Sequence, residues 1–203
     1  MTVLSQEALQ KALNRDDISD RLVITPMLDP SKQIDAASVD VRVGNEFILV
    51  RKTRLSGIKL GSKEKLEKQV QEYQEHFRVK YRQELLIHPG QLLLGATLEY
   101  IKVPDDLMCY VIGRSSWGRL GLIIATATAI DPGVRGSPTL EILNAGEVPI
   151  SIYPGVRIAQ LVFHECRGKA QYEGRHLCPT GPEFTKICHD EDLPYWLPDN
   201  QGT

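Results

Sequence analysis

Three Pro-Gly pairs, Pro89-Gly90, Pro132-Gly133 and Pro154-Gly155, constrain this chain more than any other feature. Each stands beside a run rich in β-forming residues. Proline presets φ at the second position of a type II turn, and glycine takes the positive φ of the third at little cost. From residue 83 onward the chain therefore reads as short strands joined by tight turns, an all-β sandwich or barrel. His88-Pro-Gly-Gln-Leu-Leu-Leu94 and Tyr153-Pro-Gly-Val-Arg-Ile-Ala159 look like two uses of one turn-plus-strand device. They match too little to make a repeat.

The N-terminal part is mixed. Ser5 suits a helix N-cap, with Leu4 stapling against Leu9, and this helix ends before Asn14-Arg-Asp-Asp17. Val39 to Val43 alternates as a strand closed by Gly44-Asn45, and Phe47 to Val50 continues it after the turn. Leu66, Val70, Tyr73 and Phe77 recur at steps of four, three and four, which predicts an inserted helix over 62–78. The Lys, Glu and Gln between them read as its solvated face. Residues 165 to 203 hold four prolines and little periodicity, so they read as a tail laid over something. The whole of 1–203 is expected to form one domain.

Charge limits the partners. With 24 basic and 26 acidic residues and no long basic run, nucleic acid polymers are not expected to bind. A single nucleotide needs only a few cationic contacts. No window approaches the roughly 18 apolar residues of a membrane span, and the first residues lack the pattern of a signal peptide. Cys109, Cys166, Cys178 and Cys188 are irregularly spaced and read as free thiols. A cytoplasmic location is expected.

Within about thirty residues, Gly113-Arg-Ser-Ser-Trp-Gly-Arg119, Ile130-Asp-Pro-Gly133 and Thr139-Leu-Glu141 supply two arginines, two serines and two carboxylates. Unpaired charge in an apolar sheet costs several kcal/mol, so this cluster marks a candidate site for a phosphorylated small molecule. Arg114 offers a guanidinium fork to phosphate, beside the hydroxyls of Ser115 and Ser116. Leu140 and Ile142 share one strand face, which turns Thr139, Glu141 and Leu143 to the other. If that face lines a cleft, Glu141 can serve as general base; if it faces water, Glu141 is a surface residue. Asp131 either closes its own turn or accepts a sugar hydroxyl. There is no Cys-x-x-Cys, no His pair at i, i+4 and no Walker-type glycine loop.

In this order the motifs resemble the dCTP deaminase branch of the dUTPase-like superfamily. Ala37-Ser-Val-Asp-Val-Arg-Val-Gly-Asn45, Leu86-Ile-His-Pro-Gly-Gln91, Thr97 to Asp106 and Tyr153 to Leu161 resemble its strand motifs. Gly113 to Leu122, Ile130 to Gly133 and Leu140-Glu141 resemble its active-site motifs. The resemblance implies a distorted jelly-roll β fold, a homotrimer with active sites between subunits, and zinc-independent deamination of dCTP to dUTP. It implies Glu141 as base, Arg119 holding it ionised, and Ser115 with backbone near Ala127 placing the water. Arg114, Ser115, Ser116 and Gln160 would receive the triphosphate with its Mg²⁺, Thr139 and Asp131 would help hold the nucleotide, and Tyr172 and Arg175 would come from a C-terminal flap. A dTTP effector fits the same family.

Two segments depart from the pattern. Ile123 to Ala129 is one residue shorter than in many members, with Ala129 in place of a bulky or basic residue. Pro179 replaces an amide that commonly contacts nucleotide. The alternatives are a dUTPase or bifunctional enzyme, in which Asp131 activates the water, and a catalytically silent dNTP-binding relative.

Overall fold

The computed structural model describes residues 2–51, 53–125, 129–174, 178–192 and 195. Among them the expected all-β frame is present as four antiparallel sheets. The largest has the strand order Gln74–Arg78, Glu46–Val50, Leu92–Ala96, Thr139–Asn144, Leu122–Ile124. The second has Ala129–Ile130, Leu107–Gly113, Arg157–Glu165, Val39–Arg42. Tyr100–Lys102 is flanked by Val23–Thr25 and Arg135–Gly136, while Ile150–Ile152 pairs with Leu85–Ile87.

One apolar core lies between the two larger sheets. Phe47, Leu93, Leu140 and Ile142 enter it from the first, and Val41, Val111, Leu161 and Phe163 from the second. Each fully buried side chain of this size contributes about 1.5–3 kcal/mol relative to exposure. The N-terminal helix Gln6–Leu13 adds Leu9 and Ala12 to the same core. Ser5 caps it by accepting a hydrogen bond from the Ala8 amide at 3.4 Å, and Asn14 ends it. Leu4 and Leu9 are both buried, as the staple requires.

The three Pro-Gly pairs are turns, with φ of +71° at Gly90, +84° at Gly133 and +94° at Gly155. Any residue with a Cβ would be strained there.

Two expectations need correction. The helix predicted over 62–78 runs only from Lys63 to Tyr73, and Gln74–Arg78 turns into a strand along Glu46–Val50. Leu66 and Val70 are buried as the helical stripe requires, but Phe77 spends its apolar surface across strands. Its ring stacks on Phe47, centroids 5.8 Å apart, and a cross-strand partner offered more than another helical turn. Glu46–Val50 likewise does not extend Val39–Arg42; the turn at Gly44-Asn45 sends it into the other sheet.

No helix among the described residues is long and apolar enough to cross a membrane.

Candidate active site

Glu141 sits in the middle of Thr139–Asn144, a strand clamped on both sides. Glu141 pairs in register with Leu94, and its neighbour Ile142 with both Leu93 and Ile124. Leu140 and Ile142 are fully buried, while Thr139, Glu141 and Leu143 are half-buried on the opposite face. That face is a cleft. Glu141 lines a cavity of about 590 Å³ to which both larger sheets and the tail contribute residues, and where Leu92, Leu94 and Val111 supply an apolar wall. Burial pushes its carboxyl above its ordinary value, the direction a general base needs.

Asp131, Thr139 and Tyr172 line the same cavity. Asp131 follows the edge strand Ala129–Ile130, and its backbone carbonyl accepts from the Val134 amide at 3.3 Å. The main chain thus closes this turn, and the exposed carboxylate projects at the cavity rim. The amide of Tyr172 donates to the Pro132 carbonyl at 2.8 Å, which pins the beginning of the tail to the same turn.

The tail, expected to lie over something, supplies more of the wall, though only Tyr172 and Pro179 of it were singled out from the sequence. Pro179, Glu183, Phe184, Thr185 and Lys186 all line the cavity. The Pro179 carbonyl accepts from the Ser137 amide at 2.7 Å. A Cβ on Gly136, whose φ is +139°, would stand 2.8 Å from the Pro179 nitrogen. Further on, the Glu183 amide donates to Thr139 Oγ1 at 3.2 Å and the Thr185 amide to Gln74 Oε1 at 3.4 Å. Pro179 is therefore a docking point of the tail, buried against the Arg135–Gly136 strand.

The Arg-Ser-Ser segment lies elsewhere on the chain. After Leu107–Gly113 the backbone turns into the four-residue helix Ser115–Gly118, with Arg114 as its N-cap and Arg119 at its end. Arg114 and Ser116 line a second cavity of about 490 Å³ with Arg42, Trp117 and Arg157. Ser115 and Arg119 are exposed and line neither cavity. Thus one chain groups Glu141 with Asp131, Thr139 and Tyr172, and groups Arg114 with Ser116. Ala127 and Arg175 lie outside the described residues.

A carboxylate that sequence reasoning passed over organises the cationic group. Asp40, whose side chain is 6% exposed, receives Arg114 Nε at 3.1 Å and Arg157 Nη1 at 3.0 Å through one oxygen. Its other oxygen accepts from Gln160 Nε2 at 3.1 Å. The Arg157 carbonyl accepts from Trp117 Nε1 at 2.9 Å. Arg114 and Gln160, both anticipated, are thus held by one buried anion.

A second buried carboxylate lies beside it. Glu99 is fully buried and accepts from the Arg42 amide at 2.8 Å, Arg42 Nη1 at 3.1 Å and Gln33 Nε2 at 3.0 Å. Burial pushes its carboxyl upward, and the Arg42 hydrogen bonds and charge pull it partly back. Asp40 and Arg42 sit on the strand motif of 37–45, and Glu99 in the motif of 97–106. The signal was present, a carboxylate and an arginine in runs otherwise apolar, but its meaning depends on contacts 57 residues apart.

A family model described as dCTP deaminase-like matches residues 3–166. The chain is similar to a dCTP deaminase of Natronomonas pharaonis, 37% identical over 202 residues, covering 94% of this chain and 97% of that one. It is also similar to a dUMP-forming dCTP deaminase of Methanobrevibacter smithii, 40% identical over 201 residues, covering 95% and 99%. Among solved structures it is similar to the 2'-deoxycytidine 5'-triphosphate deaminase of Agrobacterium tumefaciens, with a TM-score of 0.59 at 24% identity. That match covers 81% of this chain, which spans about half, 48%, of the Agrobacterium chain, and it supports the fold. Motifs, fold and relatives agree: the chain belongs to the dCTP deaminase-like family.

Proposed function

We propose that this protein converts dCTP and water to dUTP and ammonia. The observation that carries the reading is Glu141, a carboxylate with an elevated pKa in an apolar-walled cleft, on a strand whose register leaves it no other face. As its carboxylate it takes a proton from water, which adds to C4 of the cytosine. The same group then delivers protons toward N3 and the departing amine, so that C4 keeps the oxygen and the nitrogen leaves as ammonia. General acid–base catalysis of this kind contributes about 10²–10⁴-fold.

Arg114, Ser116 and Gln160 receive the triphosphate in this reading, and Asp131 and Thr139 of the separate Glu141 cavity hold the nucleotide, the two groups meeting across the contact between copies in a homotrimer. Ser115 and Arg119 reach Glu141 from a neighbouring copy in a homotrimer, which accounts for their exposure in the single chain. Backbone near Ala127 places the water, and Tyr172 and Arg175 close the tail over the nucleotide. Mg²⁺ accompanies the triphosphate and neutralises its oxygens.

Purified protein incubated with dCTP and Mg²⁺ should release ammonia and dUTP in equal amounts. Release of neither overturns the proposal. Relatives of both kinds exist, so dUMP and pyrophosphate are read in the same chromatogram; their appearance would mean that hydrolysis follows deamination.

Asp40→Asn tests the phosphate side. It keeps the shape and one acceptor but removes the charge that holds Arg114 and Arg157. The expected result is an increase of about tenfold in KM for dCTP, equivalent to about 1.4 kcal/mol, with kcat changed less. Steady-state kinetics checks it.

A further inference from the structure

Outside the cavity, Glu67, Cys188 and His189 bring three unlike ligand atoms to within 4.8 Å of one another. Glu67 belongs to the inserted helix Lys63–Tyr73, and Cys188 and His189 to the one-turn 3₁₀ helix Ile187–His189 near the end of the described tail. About 120 residues separate the two segments, so no sequence spacing rule would join them.

We propose that these three side chains bind a zinc-class divalent cation that fastens the tail to the inserted helix. The donor set is a thiolate, an imidazole and a carboxylate. Such a mixture suits Zn²⁺ and disfavours Mg²⁺ or Ca²⁺, which take oxygen ligands. His189 Nε2 stands 3.9 Å from Glu67 Oε1, longer than a hydrogen bond. Two ligands about 2.1 Å from one tetrahedral ion stand roughly 3.4 Å apart, so an ion would draw the pair together by about half an ångström. Three protein ligands leave the fourth position to water. Lys63 Nζ, 4.0 Å from the same Glu67 oxygen, competes for the carboxylate while the ion is away. All three ligands are at least partly exposed, which gives a metal an entry path.

The position gives the ion a task. Glu183 to Lys186, which line the Glu141 cavity, immediately precede the two tail ligands. Their hold on the body includes the Thr139 and Gln74 hydrogen bonds at 3.2 and 3.4 Å. A metal tie one turn further on would fix that wall without entering the chemistry.

The test needs neither nucleotide nor turnover. Metal-free full-length protein is titrated with zinc(II) against a chromophoric chelator, and separately with cobalt(II). One ion per chain and a thiolate-to-cobalt charge-transfer band are expected. Cys188→Ala and Glu67→Gln should each weaken zinc binding by more than about tenfold, and Cys178→Ala should not. Backbone amide exchange over 185–190 should slow at least about tenfold at saturating zinc. Thermal melting establishes that the variants remain folded. Zinc binding unchanged in Cys188→Ala, absence of the cobalt band, or no stoichiometric uptake by the wild type would each overturn the proposal.

Discussion

Glu141→Gln should lower dCTP turnover by about 10²–10⁴-fold and leave dCTP affinity within a few-fold. Glutamine fills the same space and keeps hydrogen-bonding capacity, but it cannot take a proton from water. The loss should therefore fall on kcat, while a binding isotherm for dCTP on the variant stays close to wild type. A variant that remains active removes Glu141 from the role of base. The pH profile gives a second reading of the same residue. Because burial raises its pKa, the active carboxylate form is lost as pH falls through a value above that of a solvated glutamate. The acidic limb of kcat against pH should lie correspondingly above the ordinary carboxylate range, and it should vanish from the residual activity of the glutamine variant. A limb at or below the ordinary glutamate value would mean that the Arg119 charge from the neighbouring copy outweighs the desolvation of this side chain.

The second large effect concerns stability. Glu99→Ala removes a fully buried carboxylate that satisfies the Arg42 amide, its guanidinium and the Gln33 side-chain amide. Arg42, with its side chain only 12% exposed, would keep its charge without a partner. Breaking such a pair from one side costs about 3–5 kcal/mol. For a chain of this size that corresponds to a drop of roughly 6–20 °C in Tm, measured at fixed protein concentration because assembly also stabilises. Glu99→Gln retains an acceptor and the volume, and it should lose less. Equal losses in both variants would mean that the missing charge, rather than the missing hydrogen bonds, sets the cost. Arg42 also lines the cationic cavity, so a partly folded Glu99→Ala protein should bind nucleotide more weakly.

Much of this was legible because local rules and tertiary structure agree. The Pro-Gly turns, the capped N-terminal helix and the alternation of Thr139 to Asn144 each follow from the geometry of a few consecutive residues. Asp131, Thr139, Glu141 and Tyr172 line one cavity. What escaped is non-local. Asp40 alternates with Val39 and Val41 and so reads as solvent-facing, yet Arg114, Arg157 and Gln160 cover it from strands more than 70 residues later. Gln74 to Arg78 carries a helical spacing, and only the presence of Phe47 across the sheet decides for a strand. The tail has no period at all. Its docking includes hydrogen bonds to such scattered partners as Pro132, Ser137, Thr139 and Gln74, which no composition signal announces.

The clamped register of Thr139–Asn144 has a consequence for heritable change. Side chains alternate with a period of two, so inserting or deleting one residue just ahead of Glu141 reverses inside and outside from there on. Glu141 would enter the core and Ile142 would face the cleft. Substitutions along this strand can be explored one at a time, but length changes within it can be survived only in even steps. The exposed bend at 147–149, beyond the end of the strand, carries no such parity rule. Insertion scanning should therefore divide the active-site region sharply, with tolerated and lethal positions separated by fewer than about fifteen residues of sequence.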